Sequence, residues 1–191
     1  MSNMVRLVMR KIFLLLFVVL AVPTTAFPQH SDGLDDLLQH APLASVYVLK
    51  GCDFECSSSW MELALTGLSS YVLSSATTYS LKQVVAERRP DGSDRRSFPS
   101  GHATLAFAGA TVLHHEYGKL SPWVTVGGYG VATLVSIDRL RLDRHYLHDV
   151  CAGAAIGVLS TELTYYLRKR LKSDRVDVAF TGHSISLALA W

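Results

Sequence analysis

Apolar residues in this chain come in long blocks rather than in alternation. Four of them, Leu63–Leu81, Gly101–Leu113, Leu120–Ile137 and Val150–Leu167, exceed the length of a typical strand and predict helices. Ala, Gly, Ser and Thr are frequent within them. The pairs Ala106/Ala110 and Gly153/Gly157 set small residues four apart, which lets helix backbones approach closely. The expectation is an all-α chain folded as a compact helical bundle. Two regions depart from the pattern. Residues 31–50, SDGLDDLLQHAPLASVYVLK, read as two short helices split at Pro42, with Leu34, Leu37 and Leu38 on one face. The tail VDVAFTGHSISLALAW alternates around Thr181-Gly182-His183 and predicts a short C-terminal β-hairpin or a single strand.

The first residues carry a different signal. Arg6, Arg10 and Lys11 precede the uncharged run Ile12–Val22, and PTTAF then offers small residues before a cut after Ala26. This is the pattern of a secretory signal, with a retained anchor as the alternative. The expected organisation is 1–26 signal or anchor, 27–59 short helices, 60–172 helical core and 173–191 extension. Export is the expected localisation, in the periplasm or on the periplasmic face of a membrane.

Composition narrows the picture further. The chain has 191 residues, enough for one domain with a core and too few for two comfortable ones. Cleavage after Ala26 would remove three of 18 basic residues and leave 15 against 16 acidic ones, so no large basic field exists for nucleic acid. Whether the apolar helices enter a membrane stays open. Leu63–Leu81 is 19 uncharged residues, about 28 Å of helix, yet it carries many hydroxyls. Gly101–Leu113 is too short to span, and Val150–Leu167 contains Glu162. Membrane contact is expected. Cys52 and Cys56 are close enough to pair if they lie in a loop, and with Cys151 they make a poor zinc signal.

The chemistry-bearing residues fall in three places. Lys82 is followed after six residues by Arg89-Pro90. FPSGHATLAF places Pro99-Ser100-Gly101-His102 at the mouth of an apolar helix. Arg139 is followed after five residues by His145, and after three more by Asp149. Arginine gives bidentate donors to phosphate oxygens, and lysine gives a point charge. A helix amino terminus after Ser100-Gly101 aims free N–H groups at an anion. One histidine can attack phosphorus while another protonates the leaving oxygen. His145 and Asp149, one helical turn apart, let the carboxylate hold one imidazole nitrogen. Arg95 and Arg96 read as a solvated loop, and His114 and His115 as residues at a helix carboxyl end. His148 neighbours Asp149 but falls outside the motif spacing and is not expected to be catalytic.

KX6RP, PSGH and RX5HX3D, in this order, resemble the type 2 phosphatidic acid phosphatase superfamily, over roughly residues 60 to 170. The resemblance implies a helical phosphatase using His145 as the nucleophile of a phosphohistidine. It implies Asp149 as that residue's orienting partner and His102 as acid and then base. Lys82, Arg89, Ser100, Gly101 and Arg139 would form the phosphate cradle, with no metal and no cofactor. One position departs from the family: Asp138 stands where Ser usually precedes the third-motif arginine, so a carboxylate either orients Arg139 or masks part of its charge. The expected substrate is a lipid-linked phosphate such as lipid A, an isoprenyl diphosphate or phosphatidylglycerol phosphate. The alternatives are a soluble periplasmic acid phosphatase, a vanadate-dependent haloperoxidase and a non-catalytic anion-binding helical protein.

Overall fold

The computed structural model describes residues 36–173 and the backbone of 176–181 and 184–189. The signal or anchor segment, Leu34, His30 and His183 lie outside the described residues.

After a helical turn at 36–38, helix α1 runs Ala41–Gly51, and Pro42 sits in its first turn. Two helical pieces are therefore present, but the break falls at residues 39–40 and Pro42 lies inside the second, because a first-turn residue has no intrahelical use for its N–H. Helix α2, Trp60–Val85, starts on a reciprocal capping box between Ser59 and Glu62 and ends at the left-handed Ala86 (φ 46°). Helix α3, Gly101–Tyr117, is capped by the hydroxyl of Ser100, and α4, Pro122–Arg141, by that of Ser121. Helix α5 spans Leu147–Ser173. Each helix outruns its apolar block because caps and charged end residues extend it. Strands β1, Val176–Thr181, and β2, Ser184–Leu189, pair antiparallel with Val176 opposite Leu189.

Helix α3 is the axis of the bundle and touches all four other helices. Its seam with α5 depends on missing side chains. A Cβ on Gly153 would lie 2.4 Å from the Ser100 carbonyl oxygen, and one on Gly157 would lie 2.2 Å from that of Thr104. Both obstacles are backbone, so neither can rotate away. Gly157→Ala is therefore expected to destabilise the fold by about 1–3 kcal/mol despite alanine's better helix propensity. Gly130, where a Cβ would meet nothing within 4 Å, is the control: its alanine variant should be neutral or more stable. Thermal melts of the two variants check this, and equal Tm values would refute the tight seam.

Helix α2 is turned inside out relative to a helix in water. Thr66, Gly67, Ser70, Ser74 and Thr78 face the bundle, while Met61, Leu65, Leu68, Val72 and Tyr79 face outward, each more than half exposed. Helix α5 adds exposed Leu159, Leu163, Tyr166, Leu167 and Leu171. Among the described residues one stretch, Leu147–Lys172, is long and apolar enough to cross a membrane.

The lower end of α3, about 20 Å from its mouth, is tied by a buried carboxylate. Glu116 accepts hydrogen bonds from Ser58 Oγ (2.8 Å), Tyr165 Oη (2.7 Å) and the Cys56 thiol (3.2 Å). Arg168 stands 3.9 Å from it and donates to Ser58 and Thr66. This network joins the loop before α2 to α3 and α5. Cys52, Cys56 and Cys151 are all free thiols, so Cys52 and Cys56 are not joined in this structure.

Candidate active site

The three sequence motifs meet at the mouth of α3. Ser100 is fully buried there; its N–H donates to the Asp149 carbonyl (3.0 Å), and its hydroxyl accepts from the Ala103 N–H. The α3 mouth is thereby fastened to the start of α5. The first-turn amides of α3 have no intrahelical acceptors, and a Cβ on Gly101 would meet nothing within 4 Å. The backbone is thus open to an incoming group at that point. His102 follows, half-buried, with Nε2 2.8 Å from Asp36 Oδ1 of the segment before α1.

Lys82, in the last turn of α2, donates to the carbonyl of Arg96 (2.7 Å) and lies 3.4 Å from that of Ser97. It holds the loop that leads into α3. Burial, with Arg89 nearby, pulls the Lys82 pKa down to about 8. Arg89 is held by Asp94 at 2.9 Å. Arg139 is almost fully buried in the last turn of α4 and pairs with Asp138 at 3.0 Å. Of the two roles expected for Asp138, the pairing is present: a carboxylate both positions this guanidinium and offsets its charge.

His145 and Asp149 are brought together, but not on one helix. Helix α5 begins at Leu147, so His145 lies in the turn before it and Asp149 in its first turn. His145 is buried, with Nδ1 3.5 Å from Asp149 Oδ2. That gap is longer than a formed hydrogen bond; catalytic hydrogen bonds without substrate are often long and tighten when it binds. Asp149 Oδ2 already accepts from Ser97 Oγ (2.5 Å) and the Tyr146 N–H (2.8 Å). Burial pushes the His145 pKa well below the ordinary histidine value, and Lys82 and Arg89 push it the same way against Asp149. The imidazole is neutral at neutral pH and carries a free lone pair.

Beside this cluster a pocket of about 260 Å³ opens between α2 and α3, lined by Tyr79, Leu105, Thr78 and Thr104 and reaching Lys82 and Gly101. Among the described residues one group could ligate a cation: Glu87, His148 and Asp149.

A family model described as the PAP2 superfamily matches residues 63–173. The chain belongs to the PAP2 superfamily. Over 155 residues it is 37% identical to a lipid A 1-phosphatase of Porphyromonas gingivalis, covering 81% of this chain and 34% of that protein. Over 90 residues it is 32% identical to a probable lipid phosphate phosphatase beta of Arabidopsis thaliana, covering 35% of this chain and 42% of that one. The PAP2 chain thus spans between a third and a half of the length of these curated relatives. Its fold is similar to the crystal structure of Aquifex aeolicus LpxE, with a TM-score of 0.53 at 19% identity, over 81% of this chain and 94% of the other.

Several residues of this PAP2 site escape a motif reading. Ser97 has no signal beyond its place before PSGH, yet it carries the shortest hydrogen bond to Asp149. His148 stands against the face of Asp149 that His145 does not use. Arg95 and Arg96 are exposed, as expected of a solvated loop, and His114 and His115 lie in the last turn of α3, bonded to Thr125 and Glu162.

Proposed function

We propose that this chain is a phosphatase that hydrolyses a phosphomonoester or pyrophosphate group on a lipid-linked phosphate, releasing its terminal phosphate through a phosphohistidine on His145, outside the cytoplasm. The carrying observation is a buried imidazole, 3.5 Å from a fully buried carboxylate, at the mouth of a helix whose first backbone position is open; burial, Lys82 and Arg89 all favour its neutral form. Nδ1 of His145 faces Asp149, which leaves Nε2 for phosphorus. Its lone pair forms the P–N bond as the P–O bond to the lipid breaks, and His102 gives its proton to the departing oxygen. His102 then takes a proton from water, whose oxygen attacks phosphorus and releases phosphate from His145. Lys82, Arg89, Arg139, Ser100 and the α3 amides would hold the oxygens as charge builds on them.

Three observations favour a lipid substrate over a small ester. The pocket walls beside Lys82 are Tyr79 and Leu105, which suit an acyl or prenyl chain. The outward apolar stripe of α2 suits contact with hydrocarbon, while its hydroxyls at Thr66, Ser70, Ser74 and Thr78 are turned into the bundle. The lipid A 1-phosphatase and the plant relative point to the same substrate class. Export rests on the basic and apolar pattern of residues 1–26.

Phosphate release should be measured on lipid A, undecaprenyl diphosphate, phosphatidylglycerol phosphate and p-nitrophenyl phosphate. At least one lipid is expected to exceed p-nitrophenyl phosphate in kcat/KM. Orthovanadate should inhibit, because it mimics five-coordinate phosphorus, and activity should survive EDTA. The site's one candidate cation group uses Glu87, His148 and the Asp149 oxygen that His145 does not face. Loss of activity in EDTA, restored by zinc or magnesium, would overturn this mechanism. Preference for the soluble ester would overturn the lipid assignment.

A further inference from the structure

Asp149 is held from two sides, and only one of them belongs to the motif. Oδ2 faces His145, Ser97 and the Tyr146 N–H. Oδ1 accepts no hydrogen bond among the described residues but lies 3.1 Å from Nε2 of His148, an ion-pair contact. The same Nε2 stands 3.1 Å from both carboxylate oxygens of Glu87. The His148 ring stacks on Tyr146 (centroids 5.4 Å apart, 9° between planes) and on Phe98 (6.1 Å, 27°). Its plane is therefore fixed although its outer edge is in solvent. Glu87 also closes the loop around Asp149, since its carbonyl accepts the Ser97 N–H at 3.0 Å.

One imidazole nitrogen wedged between two carboxylates has a clear chemical preference. Nε2 must carry a hydrogen, because two anions facing a bare lone pair would repel it. Two negative groups also favour the cationic ring. The groups facing His148 are Glu87 and Asp149, and its pKa is raised, chiefly by the hydrogen bond to Glu87. A cation on Oδ1 keeps Asp149 ionised and stops the carboxylate from rotating, so that Oδ2 stays aimed at His145.

We propose that His148 and Glu87 are positioning residues for the phosphatase reaction, forming a Glu87–His148–Asp149 relay that fixes the carboxylate behind His145. The inference rests on the phosphatase reading above. It adds to His145 and His102 a third histidine, whose charge governs the rate without touching substrate. As pH rises through the raised His148 pKa, the cation on Oδ1 is lost and kcat should step down on the alkaline side of the ordinary histidine range.

The test compares wild type, His148→Gln and Glu87→Gln on one substrate in EDTA, so that a cation bridging the three ligands is not read as a proton. His148→Gln should lower kcat about tenfold, the order of one lost charge contact to a buried carboxylate. It should leave KM within about twofold and erase the alkaline step. Glu87→Gln should move that step to lower pH. Unchanged kcat in His148→Gln would overturn the proposal. So would a lower kcat with the pH profile unaltered and Tm reduced, which would make His148 a structural prop. If wild type turns over none of the substrates, the phosphatase reading fails and the link is judged by imidazole NMR titration. His148 titrating above the ordinary value, and losing that in Glu87→Gln, upholds the relay; an ordinary value in both overturns it.

Discussion

His145→Ala is expected to abolish phosphate release, by at least about 10⁴-fold, and to leave the melting temperature within a few degrees of wild type. The size follows from the role: without a nucleophile on the enzyme, no covalent intermediate forms and the cradle alone remains. Labelled phosphate should be trapped on a histidine in wild type and absent in the variant. Full activity in His145→Ala would end the phosphohistidine mechanism. The electrostatics make a companion prediction with a definite sign. Burial and the two cations hold the His145 pKa below the ordinary value, so the neutral nucleophile persists as pH falls through about 6.5. An imidazole NMR titration should place His145 below that value, and one at or above it would contradict the neutral site. On the alkaline side substrate binding should weaken above about pH 8, where Lys82 loses its proton.

Asp149→Asn should cost a hundredfold or more in kcat, the range of a displaced acid/base partner. The substitution keeps the shape of a fully buried side chain but changes what its atoms can do. Asp149 Oδ2 accepts from both Ser97 and the Tyr146 N–H while facing His145 Nδ1. An amide presents one oxygen and one NH2, so whichever way it turns, a present acceptor position becomes a donor. With oxygen toward Ser97, the charge that favours the reactive tautomer is gone. With nitrogen there, the Tyr146 N–H that starts α5 meets a donor. Steady-state kinetics and a melting curve separate the outcomes. A wild-type rate would show that Asp149 only caps the helix.

Much of this molecule was legible before any coordinates. The apolar blocks located four helices, because a helix must bury or solvate a whole face and a block longer than a strand has few other uses. The spacings KX6RP, PSGH and RX5HX3D named residues that gather at the α3 mouth. Errors arose where a residue's neighbours decide its role. Pro42 reads as a break, but it is favourable one residue into a helix. His145 and Asp149 are four apart, which suggests a helix face, yet α5 begins between them. The hydroxyls of Leu63–Leu81 weighed against hydrocarbon contact, although Thr66, Ser70, Ser74 and Thr78 face inward and leave the outer stripe apolar. Glu116 and Arg168 carried no signal, because these partners lie 49 or more residues away in sequence.

The glycine seam between α3 and α5 has a consequence beyond stability. Gly153 sits against the carbonyl of Ser100, the residue that fastens the mouth of α3 to Asp149. A single methyl group at 153 would act as a shim, prising the PSGH turn from the start of α5 without replacing any reacting side chain. The spacing between His102 and His145, the acid and the nucleophile of the proposed reaction, is therefore set where a glycine lacks a side chain. Evolution, or an engineer seeking room for a bulkier headgroup, has a dial at this seam that leaves the catalytic motifs untouched.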